Sequence, residues 1–160
     1  MALLSGFAEP EGEPHPVTAE LITEYASVRP GSATRIGIAF EVEEGWHIYA
    51  QNPGDAGLPT KVAWSGPKST SFGPLHYPPH HQFVEPGDIR TNGYSGAVVL
   101  FSELRAGKDA KGALRLQAKV SWLACKEICL PGKADLTLSL PVSPAQPVFS
   151  THAQFFEHAS

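Results

Sequence analysis

An all-β fold, an antiparallel sandwich or barrel, is predicted by three features of the 160-residue sequence. Apolar and polar residues alternate over several short runs, the period of a strand with one buried face. Fifteen glycines and fifteen prolines punctuate the chain at close intervals, as many short strands joined by turns require. No long amphipathic helix interrupts the body. Turn signals at this spacing divide it into roughly nine strands, the pattern of a sandwich or barrel. A chain of this length forms one domain and buries a substantial core without staples.

Residues 1–16, rich in Pro, Gly and Glu, read as a flexible lead-in to a domain spanning 17–143. The apolar opening Met1–Ala8 is too short for a complete signal peptide and reads as the end of one or a processing remnant. Residues 17–28 (VTAELITEYASV) are β-compatible. Over 33–43, Ile36, Ile38, Phe40 and Val42 fall on one face of a strand. Gly45 ends it, and Trp46-His47-Ile48-Tyr49 begins an aromatic strand that leads into a turn cluster at Asn52–Gly57. Lys61–Ser65 and Ser71–Tyr77 are short strands split by Gly66-Pro67, and 78–96 is loop-rich with weak strand signal. Ala97–Leu104 is the next strand. Ala113–Leu123 presents Leu114, Leu116, Ala118, Val120 and Trp122 on one face, and Ala134–Val142 presents Leu136, Leu138 and Leu140. Residues 144–160 form a tail or linker, with a short helix expected around His152–His158.

Twelve basic residues face sixteen acidic ones, for a net charge of −4, and no basic run or patch stands out, which excludes nucleic acid as a partner. The acidic residues, including Glu11, Glu13, Glu41, Glu43 and Glu44, read as solvated surface. No stretch of 18 apolar residues is present to insert into a membrane. The chain carries neither a Gly-x-Ser-x-Gly nucleophile motif nor a Gly-rich phosphate loop.

Chemistry concentrates at Cys125 and Cys129, which lie between the two clearest alternating strands. A disulfide needs Cα atoms about 4.4–6.8 Å apart. Four residues of extended chain span roughly 13 Å, so the backbone must turn between the two cysteines. A hairpin closed by Lys126-Glu127-Ile128 achieves this, and so does one helical turn. Closing so small a ring constrains the unfolded chain by only about 2 kcal/mol, little for a domain of this size. A tight ring at a turn suits reversible opening, and structural and redox roles stand even on the residues alone. Lys126 favours a thiolate and Glu127 opposes it. Trp122 and Ile128 are placed to shield the pair, though ordinary packing accounts for Trp122 as well.

The run Val120–Leu130 with Pro131-Gly132-Lys133-Ala134 resembles the end of the N-terminal periplasmic domain of the DsbD family of thiol:disulfide interchange proteins. Glu44–Tyr49 with Asn52–Thr60 resembles an earlier hallmark of that domain, particularly in the branch related to ScsB, and Tyr94-Ser95-Gly96 matches a third block. The resemblance covers about residues 20–142. It implies an immunoglobulin-like β-sandwich with the redox cysteines at one end and no bound cofactor. It also implies a periplasmic domain taking electrons from a transmembrane reductase domain, of the same or another chain, and passing them to thioredoxin-like oxidoreductases. Cys129 would enter the mixed disulfide and Cys125 would resolve it. A cap loop would correspond to Thr91–Gly96, with Asn92, Gly93 and above all Tyr94 as shield and Trp122 beside it. The chain departs from the family in separating its cysteines by only three residues and in lacking acidic residues ahead of the aromatic in that loop.

Two other readings are carried alongside. One is a copper-binding or copper-tolerance module using Cys125, Cys129, His76, His80 and His81, since thiolate and imidazole suit that metal. The other is an immunoglobulin-like interaction domain with a purely structural disulfide.

Overall fold

The computed structural model describes residues 7–8 and 15–157. Eleven strands are seen among them: β1 (Phe7–Ala8), β2 (Val17–Thr23), β3 (Ala33–Val42), β4 (Ile48–Gly54), β5 (Lys61–Ser65), β6 (Thr70–Phe72), β7 (His81–Glu85), β8 (Ile89–Tyr94), β9 (Gly96–Ala106), β10 (Ala113–Cys125) and β11 (Cys129–Pro141). They form a five-stranded sheet ordered β1-β2-β3-β9-β6 and two three-stranded sheets, β11-β10-β5 and β4-β8-β7. Every pairing between named strands is antiparallel. The architecture is an all-β, immunoglobulin-like sandwich.

Alternation in the sequence decides which faces meet. Ile36, Ile38, Phe40 and Val42 of β3 are buried, as are Leu114, Leu116, Ala118, Val120 and Trp122 of β10. These two rows, with Leu136 and Leu140 of β11 and Leu100 and Leu104 of β9, make one continuous core. Successive strand residues point to opposite faces, so each sheet buries one row and leaves the polar row in water.

A second, smaller cluster lies on the other face of the five-stranded sheet. There the 3-10 turn Ala153–Phe156 inserts Phe156 against Ile22 and Val99. The backbone leading into it is tied down by bonds from Ala26 N–H to the Val148 carbonyl and from Ser150 N–H to the Glu24 carbonyl. Gly37 leaves the space, since a Cβ there would lie 3.2 Å from the Phe156 ring. Phe156→Ala is expected to destabilise the domain by about 3 kcal/mol, the low end for a buried Phe, because a short 3-10 turn can give way. Urea unfolding measures it, and a loss below about 1 kcal/mol would mean that Phe156 adds little packing.

Two stretches differ from the reading of the sequence. Residues 78–96, read as mostly loop, contain the paired strands β7 and β8. Their turn, Pro86-Gly87-Asp88, holds both Gly87 (φ 87°) and Asp88 (φ 60°) in the left-handed region, which glycine and aspartate tolerate. Asn52-Pro53-Gly54, read as turn, belongs to β4, with Gly54 paired to Thr91 across an irregular register. β7 and Asn52-Pro53-Gly54 are largely exposed, and β8 buries only Thr91, Gly93 and Tyr94, so no row of large apolar residues marks either segment. Most of the expected lead-in, 1–16, lies outside the described residues.

Candidate functional site

β10 and β11 are the longest pair in the molecule, in unbroken register from Ala113↔Pro141 to Cys125↔Cys129. Their hairpin closes on Lys126-Glu127-Ile128, so the chain turns as a hairpin and not as a helical turn. Cys125 and Cys129 are joined by a disulfide with Cα atoms 4.1 Å apart. The backbone hydrogen bonds explain the close approach. Cys125 spends its N–H and carbonyl on His47, at 3.0 and 3.1 Å, on the side away from β11. Toward β11 it is therefore the non-hydrogen-bonded partner, the arrangement in which antiparallel strands bring Cα atoms nearest.

The two sulfurs are not equivalent. Cys125 is 1% exposed, on the face of β10 opposite its core row, whereas Cys129 is exposed at the start of β11. Ile128 beside it is 63% exposed, an apolar side chain presented to solvent at the hairpin tip. A thiol on Cys129 is open to another protein, and a thiol on Cys125 is open mainly to Cys129.

His47 ties the tip to the β4-β8-β7 sheet, since its bridge to Cys125 is an isolated contact outside the named strands. Its buried ring stacks on Phe83 at 4.5 Å between centroids and 11° between planes. Its Nε2 lies 3.0 Å from Glu85 Oε2 and 3.2 Å from the Tyr49 hydroxyl. Glu85 Oε2 also accepts hydrogen bonds from the Tyr49 hydroxyl at 3.0 Å and from Thr91 Oγ1 at 2.9 Å. Burial pushes the Glu85 carboxyl up, but the bonds from Thr91, His47 and Tyr49 outweigh it and hold it below the ordinary carboxylate range. Burial, and then the bond to the Glu85 carboxylate, push the Tyr49 phenol up, so it stays protonated and donates.

The expected cap residues lie in and around β8. Tyr94 is buried in the main core, where its hydroxyl donates to the Pro78 carbonyl at 2.7 Å. Burial raises that phenol to about 12. Asn92 is half-buried and donates from Nδ2 to the Asn52 carbonyl, and Gly93 pairs with Tyr49. Trp122 is a core residue whose indole lies over its cross-strand partner Gly132 and edge-on to Phe40.

The alternative metal set is not assembled. His76 forms a bridge with Phe101 of β9, His81 pairs with Gly93 in β7, and His80 is exposed ahead of β7. Among the described residues no group of three or more His, Cys, Asp or Glu side chains is arranged to hold a metal ion. The sequence reading missed His47, Tyr49 and Glu85 as a unit. The alternation of Trp46–Tyr49 puts His47 and Tyr49 on one face, but nothing local points to Glu85, 38 residues beyond His47.

Such a molecule, a sandwich with an asymmetric disulfide at a hairpin tip, is a thiol–disulfide exchange domain. More particularly, it belongs to the family of N-terminal domains of the thiol:disulfide interchange protein DsbD, whose sequence profile matches residues 14–141.

Among solved structures, the N-terminal periplasmic domain of ScsB from Proteus mirabilis superposes with a TM-score of 0.70 at 19% identity, over 96% of this chain and 57% of that one. The chain thus spans little more than half of that structure. The GAE domain of GGA2p from Saccharomyces cerevisiae (TM-score 0.45, 16% identity, 84% of this chain and 97% of that one) is more distant. So is the reduced N-terminal domain of DsbD from Neisseria meningitidis (TM-score 0.42, 12% identity, 81% and 89%). A search of curated protein sequences finds no match.

Proposed function

We propose that this chain is a periplasmic electron relay, taking reducing equivalents from a transmembrane reductase domain and passing them to thioredoxin-like oxidoreductases through Cys125 and Cys129. The family match supports the route. The observation that carries the reading is the asymmetry of the pair, with Cys129 exposed and Cys125 buried directly opposite it. In the reduced domain the Cys129 thiolate attacks a partner's disulfide, forms a mixed disulfide and releases one partner thiolate. Cys125 then attacks Cys129 Sγ and releases the second, which leaves the domain oxidised and the partner a dithiol. A buried resolving thiol limits competing reactions with other disulfides.

Equilibration of the chain with glutathione buffers tests the reading. The expected outcome is reversible interconversion, with a potential above about −300 mV. A more negative potential would mark the bond as an inert staple and end the proposal.

A further inference from the structure

His47, Cys125 and Cys129 form a single row across three neighbouring strand segments. His47 and Cys125 exchange both backbone hydrogen bonds, at 3.1 and 3.0 Å, so they are directly opposed with Cα atoms about 5.5 Å apart and side chains on one face. Cys129 opposes Cys125 from the other side. The imidazole is therefore the cross-strand neighbour of the buried sulfur.

Its protonation pattern follows from its partners. The Glu85 carboxylate accepts and cannot donate, and the Tyr49 hydroxyl already donates to Glu85 at 3.0 Å. The proton shared with Oε2 therefore sits on Nε2, which leaves Nδ1 as the basic nitrogen of the neutral ring. A carboxylate fixing one imidazole nitrogen so that the other can take a proton from a nucleophile is the logic of Cys-His and Ser-His assemblies.

We infer that His47 is the proton acceptor for Cys125 in the resolving step and that Glu85 is the positioning residue that orients His47 and stabilises its charged form. The inference rests on the thiol-exchange reading above and deepens it. In the mixed disulfide, the Cys125 thiol proton passes to His47 Nδ1. The Cys125 sulfur forms a bond to Cys129 Sγ as the bond between Cys129 and the partner breaks. The departing partner thiolate takes the proton from the imidazolium. Two electrons reduce the partner's disulfide, and no other oxidant is needed. The need is physical: a thiol as buried as Cys125 ionises poorly without help. The groups facing His47 are Tyr49 from β4, two residues on, Phe83 and Glu85 from β7 and Cys125 from β10, with Thr91 of β8 bonded to Glu85. The Lys126 ammonium lies near Gly45, two residues away, and adds positive charge at the hairpin.

The reaction of the reduced chain with Ellman's reagent separates the two steps. Cys129 releases the first thionitrobenzoate, and attack by Cys125 releases the second. Stopped-flow records of both phases between pH 5 and 9 are the test. In His47→Gln the second phase at pH 7 is expected to fall about 100-fold and to climb steadily with pH, while the first stays within about twofold. In Glu85→Gln, which keeps the shape and removes the charge, the second phase falls about tenfold. Should His47→Gln disturb the fold, His47→Ala with added imidazole replaces it, and recovery of the second phase alone is expected. Unchanged second phases, parallel loss of both phases, or no rescue by imidazole would overturn the inference. A chain without variants that releases only one thionitrobenzoate would instead overturn the exchange reading.

Discussion

Cys129→Ser is expected to abolish thiol–disulfide exchange, with a loss of about 10³-fold or more, while Cys125→Ser retains the first half of the reaction and accumulates as a mixed disulfide. The difference comes from access. Cys129 stands exposed beside Ile128 at the hairpin tip, whereas Cys125 is 1% exposed and has Cys129 and His47 as its neighbours across the strands. Only a thiolate that a second protein can reach forms the intermolecular bond, and the thiol behind it can only resolve. Neither loss is a loss of fold, because a five-residue ring contributes about 2 kcal/mol at most. The check is trapping with an oxidised thioredoxin-like protein followed by non-reducing electrophoresis. Adducts on Cys129→Ser and none on Cys125→Ser would reverse the assigned roles.

Gly93→Ala is expected to cost the fold about 4 kcal/mol or more, since a methyl there meets the closest backbone clash among the described glycines. A Cβ at Gly93 would collide with the Ile48 carbonyl oxygen and lie 3.3 Å from the Tyr49 Cα, both parts of the backbone that β8 pairs with. A flexible side chain could swing aside, but a backbone carbonyl held in the sheet cannot move without breaking β4 from β8. That sheet carries Tyr49, Glu85 and Thr91, so the carboxylate around His47 would be displaced along with the stability. Urea unfolding followed by fluorescence gives the magnitude, and a loss under about 1 kcal/mol would show that the two strands are not packed as described.

Much of the fold is legible in the sequence because burial writes a period-two pattern wherever one face of a strand meets the core. The row Ile36, Ile38, Phe40 and Val42 and the row Leu114 to Trp122 are such marks, and both are buried. A turn at the cysteines is legible for a different reason, since bond geometry forbids an extended chain between two joined cysteines four residues apart, but a hairpin and a helical turn both satisfy it. β7 and β8 left weaker marks. His81, Gln82 and Val84 are exposed on β7, so its position is held by hydrogen bonds to β8 and not by a buried apolar row. Backbone hydrogen bonds are available to every residue type except proline as donor, and they leave no compositional signal.

Strand faces, a sandwich-or-barrel class and the need for a turn between the two cysteines are all readable in the sequence, because each follows from neighbours in the chain. The sealing of Cys125, the exposure of Cys129 and the reach of Glu85 to His47 across 38 residues come from the packed fold. Those outcomes depend on which strands lie side by side, and pairing between distant segments is settled by the packing of the whole core, not by any local run of residues.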